Sequence, residues 1–279
     1  MRRLSVVHTT TFRYAGEVTA SFNEARLTPV SDHGQTVLAA TLDVAPCTWR
    51  HDYRDYWGSA VTAFEVSVPH DTLTITSSSR VEVHPPRAAV ADVGWEDLRS
   101  PQVTDRMAEL LADTPTTAAP ADVVALAAEA ARGLAPARAA EAICLLLRDE
   151  LEYVPGVTAV HTPAVEAWDA RTGVCQDMAH LALGALRSVG IPARYVSGYL
   201  HPMRGAETGQ TVTGESHAWV EWWAGQWTGF DPTNRAPAGE HHVVLARGRE
   251  YQDVAPLRGI YAGTSTDVLD VQVHITQEA

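Results

Sequence analysis

The sequence predicts an α+β protein in two parts: an all-β, sandwich-like N-terminal module, then a core in which helices pack on an antiparallel sheet. Three observations carry that reading. Residues 1–85 are short, alternating runs rich in Val, Thr and Phe. The chain then turns alanine-rich and helical from about residue 102. Strand patterns return after Ala193, and helices followed by strands indicate α+β packing rather than a parallel α/β alternation. At 279 residues the chain is long enough for two modest domains.

In the first part, "RLSVVHTTTFRY", "TVLAATLDVAP", "AVTAFEVSVPH" and "TLTITSSSRVEVHP" read as strands separated by turn residues such as Asp32, Gly34, Pro46 and Gly58. The expectation is an antiparallel sandwich or small barrel over residues 1–85. Residues 86–101 have no period and read as a linker, leaving 102–279 as the core.

The core opens with helices. "SPQVTDRMAELLAD" reads as a short one, and "APADVVALAAEAARGL" as a second that ends near Gly133. A third, "APARAAEAICLLLRDELEY", starts at Pro136, suited to a first helical position, and stops before Pro155-Gly156. Cys144 falls in its apolar stripe with Ile143, Leu146 and Leu147, which marks it as core. "TPAVEAWDARTGV" follows as a short helix and turn. A helix then runs from about Cys175 to Ser188, closed by Gly190 with Pro192 beyond. Strands complete the chain: "ARYVSGYLH", "SHAWVEWW", "QWTGFDP", "HHVVLARG" and a closing "DVLDVQVHIT".

Composition narrows the function classes. Lys and Arg number 21 against 34 Asp and Glu, a net charge of −13 that argues against nucleic-acid or anionic-membrane partners. No stretch approaches the roughly 20 apolar residues of a membrane helix, and "MRRLSVVHTTTFRY" lacks a signal peptide's apolar segment, so a cytoplasmic location is expected. Cys47, Cys144 and Cys175 are three widely spaced thiols, which suit a reducing compartment better than a disulfide framework.

The stretch "RTGVCQDMAH", residues 171–180, places Cys175 at the opening of a helix. A thiolate is the reactive form of cysteine, and a helix N-terminus or a neighbouring imidazolium stabilises it. Elsewhere, "SHAWVEWWAGQWTGFDPTN" reads as a hairpin turning at Ala224-Gly225. Closing the loop between Trp222 and Gln226 sets His217 directly opposite Asp231, with Cβ atoms about 4.5–5.5 Å apart. A carboxylate there would hold one ring nitrogen while the other faces a thiol. Alone, His217 reads as a strand histidine and Asp231 as a turn-opening Asp before Pro232; with Cys175 they form nucleophile, base and orienting group.

"GVCQDMAHLALGALRSVGIPARYVSGYL", "ESHAWVEWW" and "WTGFDPTN" together resemble the core of bacterial transglutaminase-like proteins, a papain-related superfamily of cysteine acyltransferases and peptidases. "TTTFRY", "SFNEARLTPV" and "GQTV" are similar to the β-rich region that precedes that core in many bacterial members. The resemblance implies a papain-like transglutaminase core with Cys175 as nucleophile, His217 as general base and then acid, and Asp231 as its orienting residue. It implies a peptide or protein amide as substrate and no cofactor. Hydrolysis is favoured over crosslinking, since a crosslinker needs a shielded amine tunnel that no motif announces.

Other residues receive plainer readings. Animal relatives use an upstream tryptophan as oxyanion donor, but Trp168 stands only seven residues before Cys175 and that role is not carried over. Gln176 and Asp177 read as helix-starting residues and His180 as structural. Trp219 shares the expected face of His217 and is the candidate substrate contact; Trp222, Trp223 and Trp227 read as packing. No calcium loop is present, and a zinc site drawn from Cys175, His180, His217, His241 and His242 lacks paired ligand spacing, so no metal is expected. Two rival classes remain: a binding module on the same fold and a structural zinc protein.

Overall fold

The structure is a computed structural model that describes residues 1–85, 93–160, 162–202, 207–263 and 266–279. The N-terminal strands are β1 (Arg2–Thr28), β2 (Gln35–Ala45), β3 (Trp49–Arg54), β4 (Ala60–Val66) and β5 (His70–Val83). Helical segments follow: α1 (Trp95–Leu98), α2 (Pro101–Thr104), α3 (Ala108–Leu111), α4 (Ala121–Ala130) and α5 (Pro136–Glu150). Then come β6 (Glu152–Tyr153), α6 (Ala164–Ala170), β7 (Thr172–Gly173) and α7 (Cys175–Ser188). The remaining elements are β8 (Ala193–Leu200), β9 (Thr211–Thr213), β10 (Glu215–Trp223), β11 (Trp227–Asp231) and β12 (Ala236–Pro237). β13 (His242–Gly248), α8 (Tyr251–Val254), β14 (Leu257–Gly263) and β15 (Thr266–Gln277) end the chain. Among the described residues no helix is long and apolar enough to cross a membrane.

A five-stranded antiparallel sheet runs in the order β12-β11-β10-β8-β13. On one face Ala218, Val220 and Trp222 of β10 and Phe230 of β11 join the apolar side chains of α4, α5, α6 and α7. α7 is buried from Gln176 through Arg187, so it is a central helix and not a surface one. Its close seating depends on Gly184, where a Cβ would meet the Thr117 carbonyl oxygen at 2.1 Å.

Tyr199, Val243 and Leu245 of the five-stranded sheet pack with Leu4, Val6, Leu42, Ile75, Val81 and Val83 of the N-terminal sheet. That sheet is organised by β1, whose first half lies between β5 and β15 and whose second half lies between β4 and β14. Pairing with β5 breaks between Arg13 and Val18, where β1 passes from one set of neighbours to the other.

The closing strand is therefore not where the sequence analysis placed it. β14 and β15 pair with β1 and not with the core sheet, so the division into 1–85 and 102–279 does not follow sheet membership. Alternation in "DVLDVQVHIT" specifies a half-buried strand but names no partner, and β1 offers a long unpaired edge. The segment "SPQVTDRMAELLAD" also forms two single turns, α2 and α3, in place of one helix. The expected linker falls partly on residues 86–92, outside the described residues.

Polar contacts fix how the layers meet. Gln35 donates to the Val244 carbonyl at 2.8 Å and accepts the Val244 N–H at 2.9 Å, where β13 bulges between Val244 and Ala246. Glu221 on β10 receives Arg194 Nε at 2.7 Å and Arg247 Nε at 3.0 Å, and Arg247 also pairs with Asp32 at 2.7 Å. Burial would raise the Glu221 carboxyl, but the two guanidinium groups outweigh it and hold the group at about 2.

A folded value below the ordinary 4.5 means that this stabilisation is complete above about pH 4.5 and is lost as pH falls toward 2. Glu221→Gln leaves the buried Arg194 guanidinium without a counter-charge and Arg247 with Asp32 alone, and is expected to cost about 3–5 kcal/mol at pH 7. Urea denaturation at pH 7 and pH 3 checks this: the wild type should lose stability between them, and the variant should lose less.

Candidate active site

The β10–β11 hairpin closes between Trp223 and Trp227 around Ala224, Gly225 and Gln226, with Gly225 at φ 89° as the residue a left-handed turn requires. The register differs by two residues from the one expected. Val220 pairs with Phe230 and Glu221 with Gly229, so continuing the ladder would place Asp231 opposite Trp219, diagonal to His217. A two-residue shift preserves the face, because side chains alternate with period two. His217 and Asp231 still meet, with His217 Nε2 and Asp231 Oδ2 at 2.7 Å.

Asp231 has no exposed surface, and its oxygens are met by donors. Besides His217, Oδ2 accepts from Asn234 Nδ2 at 2.7 Å and His242 Nε2 at 3.2 Å, while Oδ1 accepts the Asn234 backbone N–H at 3.1 Å. The turn-opening use of Asp before Pro232 and the histidine-holding use are thus both realised, one on each oxygen. Burial alone would raise this carboxyl; the hydrogen bonds from His217 and His242 lead the effects that hold it far below the usual carboxylate range. His242 and Asn234 are the neighbours that sequence reasoning missed as partners of Asp231. The only available signals were the side-chain types in "DPTN" and "HH", which are ordinary loop residues.

The tautomers follow from the partners. Gly239 donates its backbone N–H to His242 Nδ1 at 3.2 Å, so the proton of a neutral His242 sits on Nε2 and points at Asp231. His217 likewise donates from Nε2, which leaves Nδ1 as the ring nitrogen not taken by Asp231. Burial would lower the His217 pKa, but the Asp231 and Cys175 hydrogen bonds and their charges raise it to about 10. The ring is therefore favoured as imidazolium.

Cys175 is half-buried at the first position of α7. Asp177 fixes the helix start: its Oδ2 accepts the Val174 N–H at 2.8 Å and the Thr158 hydroxyl at 2.7 Å, tying in the 154–163 segment. Gly173 is needed beneath it, since a Cβ there would lie 2.8 Å from the Asp177 Cβ. The helix-starting reading of Asp177 holds, and burial raises its carboxyl. His180 is fully buried and accepts the Tyr251 N–H at 3.2 Å, and burial lowers its pKa to about 3. It is structural, as expected.

Trp219 shares the His217 face, as expected, but is only 1% exposed and so cannot serve as a substrate contact. It backs the site instead. Its ring stacks on His217 at 6.2 Å and meets His242 edge-on at 5.1 Å, and Gly198 makes room for it across the β8–β10 pair. Trp168 is equally unavailable, because its indole N–H is given to Asp122 at 2.7 Å.

Comparison with known proteins gives the family of the chain. The profile of the bacterial transglutaminase-like N-terminal region matches residues 4–82, and that of the transglutaminase-like superfamily matches residues 124–232. The uncharacterized protein ML0607 of Mycobacterium leprae is 47% identical over the full length of both chains. The chain belongs to the transglutaminase-like superfamily. This transglutaminase-like protein is also 35% identical to the uncharacterized protein Rv2569c of Mycobacterium tuberculosis, over 98% of this chain and 92% of that one. A solved Cytophaga hutchinsonii structure with a provisional cysteine-protease designation shares the fold, with TM-score 0.74 and 19% identity over 99% of this chain and 97% of that one.

A cleft of about 670 Å³ opens onto His217, Asp231 and His242 in this transglutaminase-like protein. These three offer ligand atoms within 4.8 Å of one another, a spacing that admits a metal ion. The hydrogen bonding does not fit one. A ligating histidine donates its second N–H to an acceptor, whereas His242 Nδ1 already accepts an N–H, so ligation through Nε2 would require an imidazolate.

His242→Phe keeps a ring against Trp219 and removes one donor from the buried carboxylate. The expected loss is about 1–3 kcal/mol of stability, measured by thermal or urea denaturation beside a His242→Gln variant that can still donate and should lose less.

Proposed function

We propose that this protein is a cysteine-dependent acyl-transfer enzyme acting on amide bonds, most directly a peptidase or amidase. One observation carries the reading: the His217 ring is held by Asp231 at 2.7 Å, and Cys175, the first residue of α7, is close enough to raise the pKa of the same ring. The superfamily membership and the shared fold support it.

In this reading Cys175 and His217 stand as a thiolate–imidazolium pair, the proton resting on Nδ1. The sulfur attacks the amide carbonyl carbon, and the carbonyl electron pair moves onto oxygen. The Cys175 backbone N–H lies in the first turn of α7, without an intrahelical acceptor, and is available to the oxyanion. As the tetrahedral species collapses, the C–N bond breaks and His217 delivers its proton to the departing amine, leaving a thioester. Neutral His217 then takes a proton from water, whose oxygen attacks the thioester and expels the thiolate. Asp231 stays ionised throughout and keeps the ring aligned.

Iodoacetamide at pH 6 tests the pair directly. Cys175 is expected to alkylate at least tenfold faster than exposed Cys47, and His217→Ala should abolish the difference while the fold survives by circular dichroism. Equal rates for Cys175 and Cys47 would instead mark a binding module on this fold. A second outcome concerns pH. Because the His217 pKa is raised to about 10, the proton needed by the leaving amine persists through neutral pH. Amide cleavage, followed by mass spectrometry of products and thioester adducts, should hold from pH 7 to 9 and fall as pH passes through about 10.

A further inference from the structure

The cleft beside His217 contains two charges that the described residues leave without counter-ions. Glu215 is exposed and stands two residues before His217 on β10. Arg148 stands at the same end of the antiparallel strand pair, on the β11 side: its Nε donates to the carbonyl of Thr233, two residues past Asp231, at 3.1 Å, and its Nη1 to the Leu151 carbonyl at 2.6 Å. Among the described residues neither forms an ion pair, although nearby charges do. Asp149 is taken by Arg235, Glu240 by the N-terminal ammonium, and Glu221 by Arg194 and Arg247.

We infer that this cleft recognises a peptide segment of mixed charge, with Glu215 taking an ammonium or guanidinium on one side of the reacting amide and Arg148 a carboxylate on the other. The inference rests on the proposed site and deepens it by naming the class of substrate.

The two groups differ in how they are prepared. Arg148 is anchored by two backbone carbonyls, so its planar fork is already oriented and loses little freedom on meeting a carboxylate. Glu215 lines the cleft beside His217 with its side chain exposed. The Tyr153 phenol, which also lines it, is raised by burial first and then by the charges of both Cys175 and Glu215, which places it near both groups. At about 670 Å³ the cleft has room for side chains on both sides of the bond, within the size range typical of ligand sites.

Binding measured without turnover tests this independently of catalysis. In a Cys175→Ala background, isothermal titration uses hexapeptides around a central glutamine in four sets: Lys and Glu flanking it in both orders, Lys only, Glu only, and neither. The mixed set, in one order, is expected to bind at least tenfold more tightly than the uncharged set. Adding Glu215→Gln should remove the Lys preference, and Glu215→Arg should reverse it. Adding Arg148→Gln should remove the Glu preference, while Arg148→Lys retains part of it. Equal affinities across the sets, no binding at millimolar peptide, or preferences that survive the variants would overturn the inference. Alkylation of Cys175 in the wild type separately decides the proposed site.

Discussion

Everything in the candidate site depends on one buried carboxylate. Asp231 has no contact with solvent, and an ionised carboxylate in that position is tolerable only if hydrogen-bond donors replace the water it has lost. His217, His242, Asn234 and the Asn234 backbone supply them. The same requirement fixes the imidazole: a donor to Asp231 must present Nε2–H, and that leaves Nδ1 for the proton transfer proposed with Cys175. Stability and chemistry are thus served by one arrangement, and a defect in the donor set would be felt in both.

Around that carboxylate the fold supplies rigidity from two directions. α7, buried along its length, delivers Cys175 at a position set by the Asp177 cap and by the glycines at 173 and 184. The five-stranded sheet delivers His217, and Trp219 behind it leaves the ring little room to turn. The N-terminal region grips the same sheet through Gln35, Tyr199 and the Glu221 network. Because β14 and β15 return to that sheet, its assembly requires both ends of the chain. The β-rich region is therefore a structural wall of the core and not an appended module.

The same geometry explains why a cluster with metal-like ligand types does not fit a metal. His217, Asp231 and His242 are close enough, but the Gly239 N–H at His242 Nδ1 fixes the tautomer against ligation. Proximity of side chains allows ligation; the proton positions of their outer partners decide it.

Much of this was legible in the sequence. The span of α7 follows from the small and apolar run after Cys175 and from Gly190, local signals that need no knowledge of the fold. The face shared by His217 and Asp231 follows from alternation and survives a two-residue error in register, because the side-chain period is two. What the sequence could not decide was every contact between segments far apart in the chain. His242 reaching Asp231, Trp219 turning inward instead of toward substrate, Arg148 docking on Thr233, and β15 choosing β1 all arise that way. Period and capping are properties of neighbouring residues, whereas partner choice is settled by which buried surfaces and unpaired groups remain to be satisfied once the whole chain has packed.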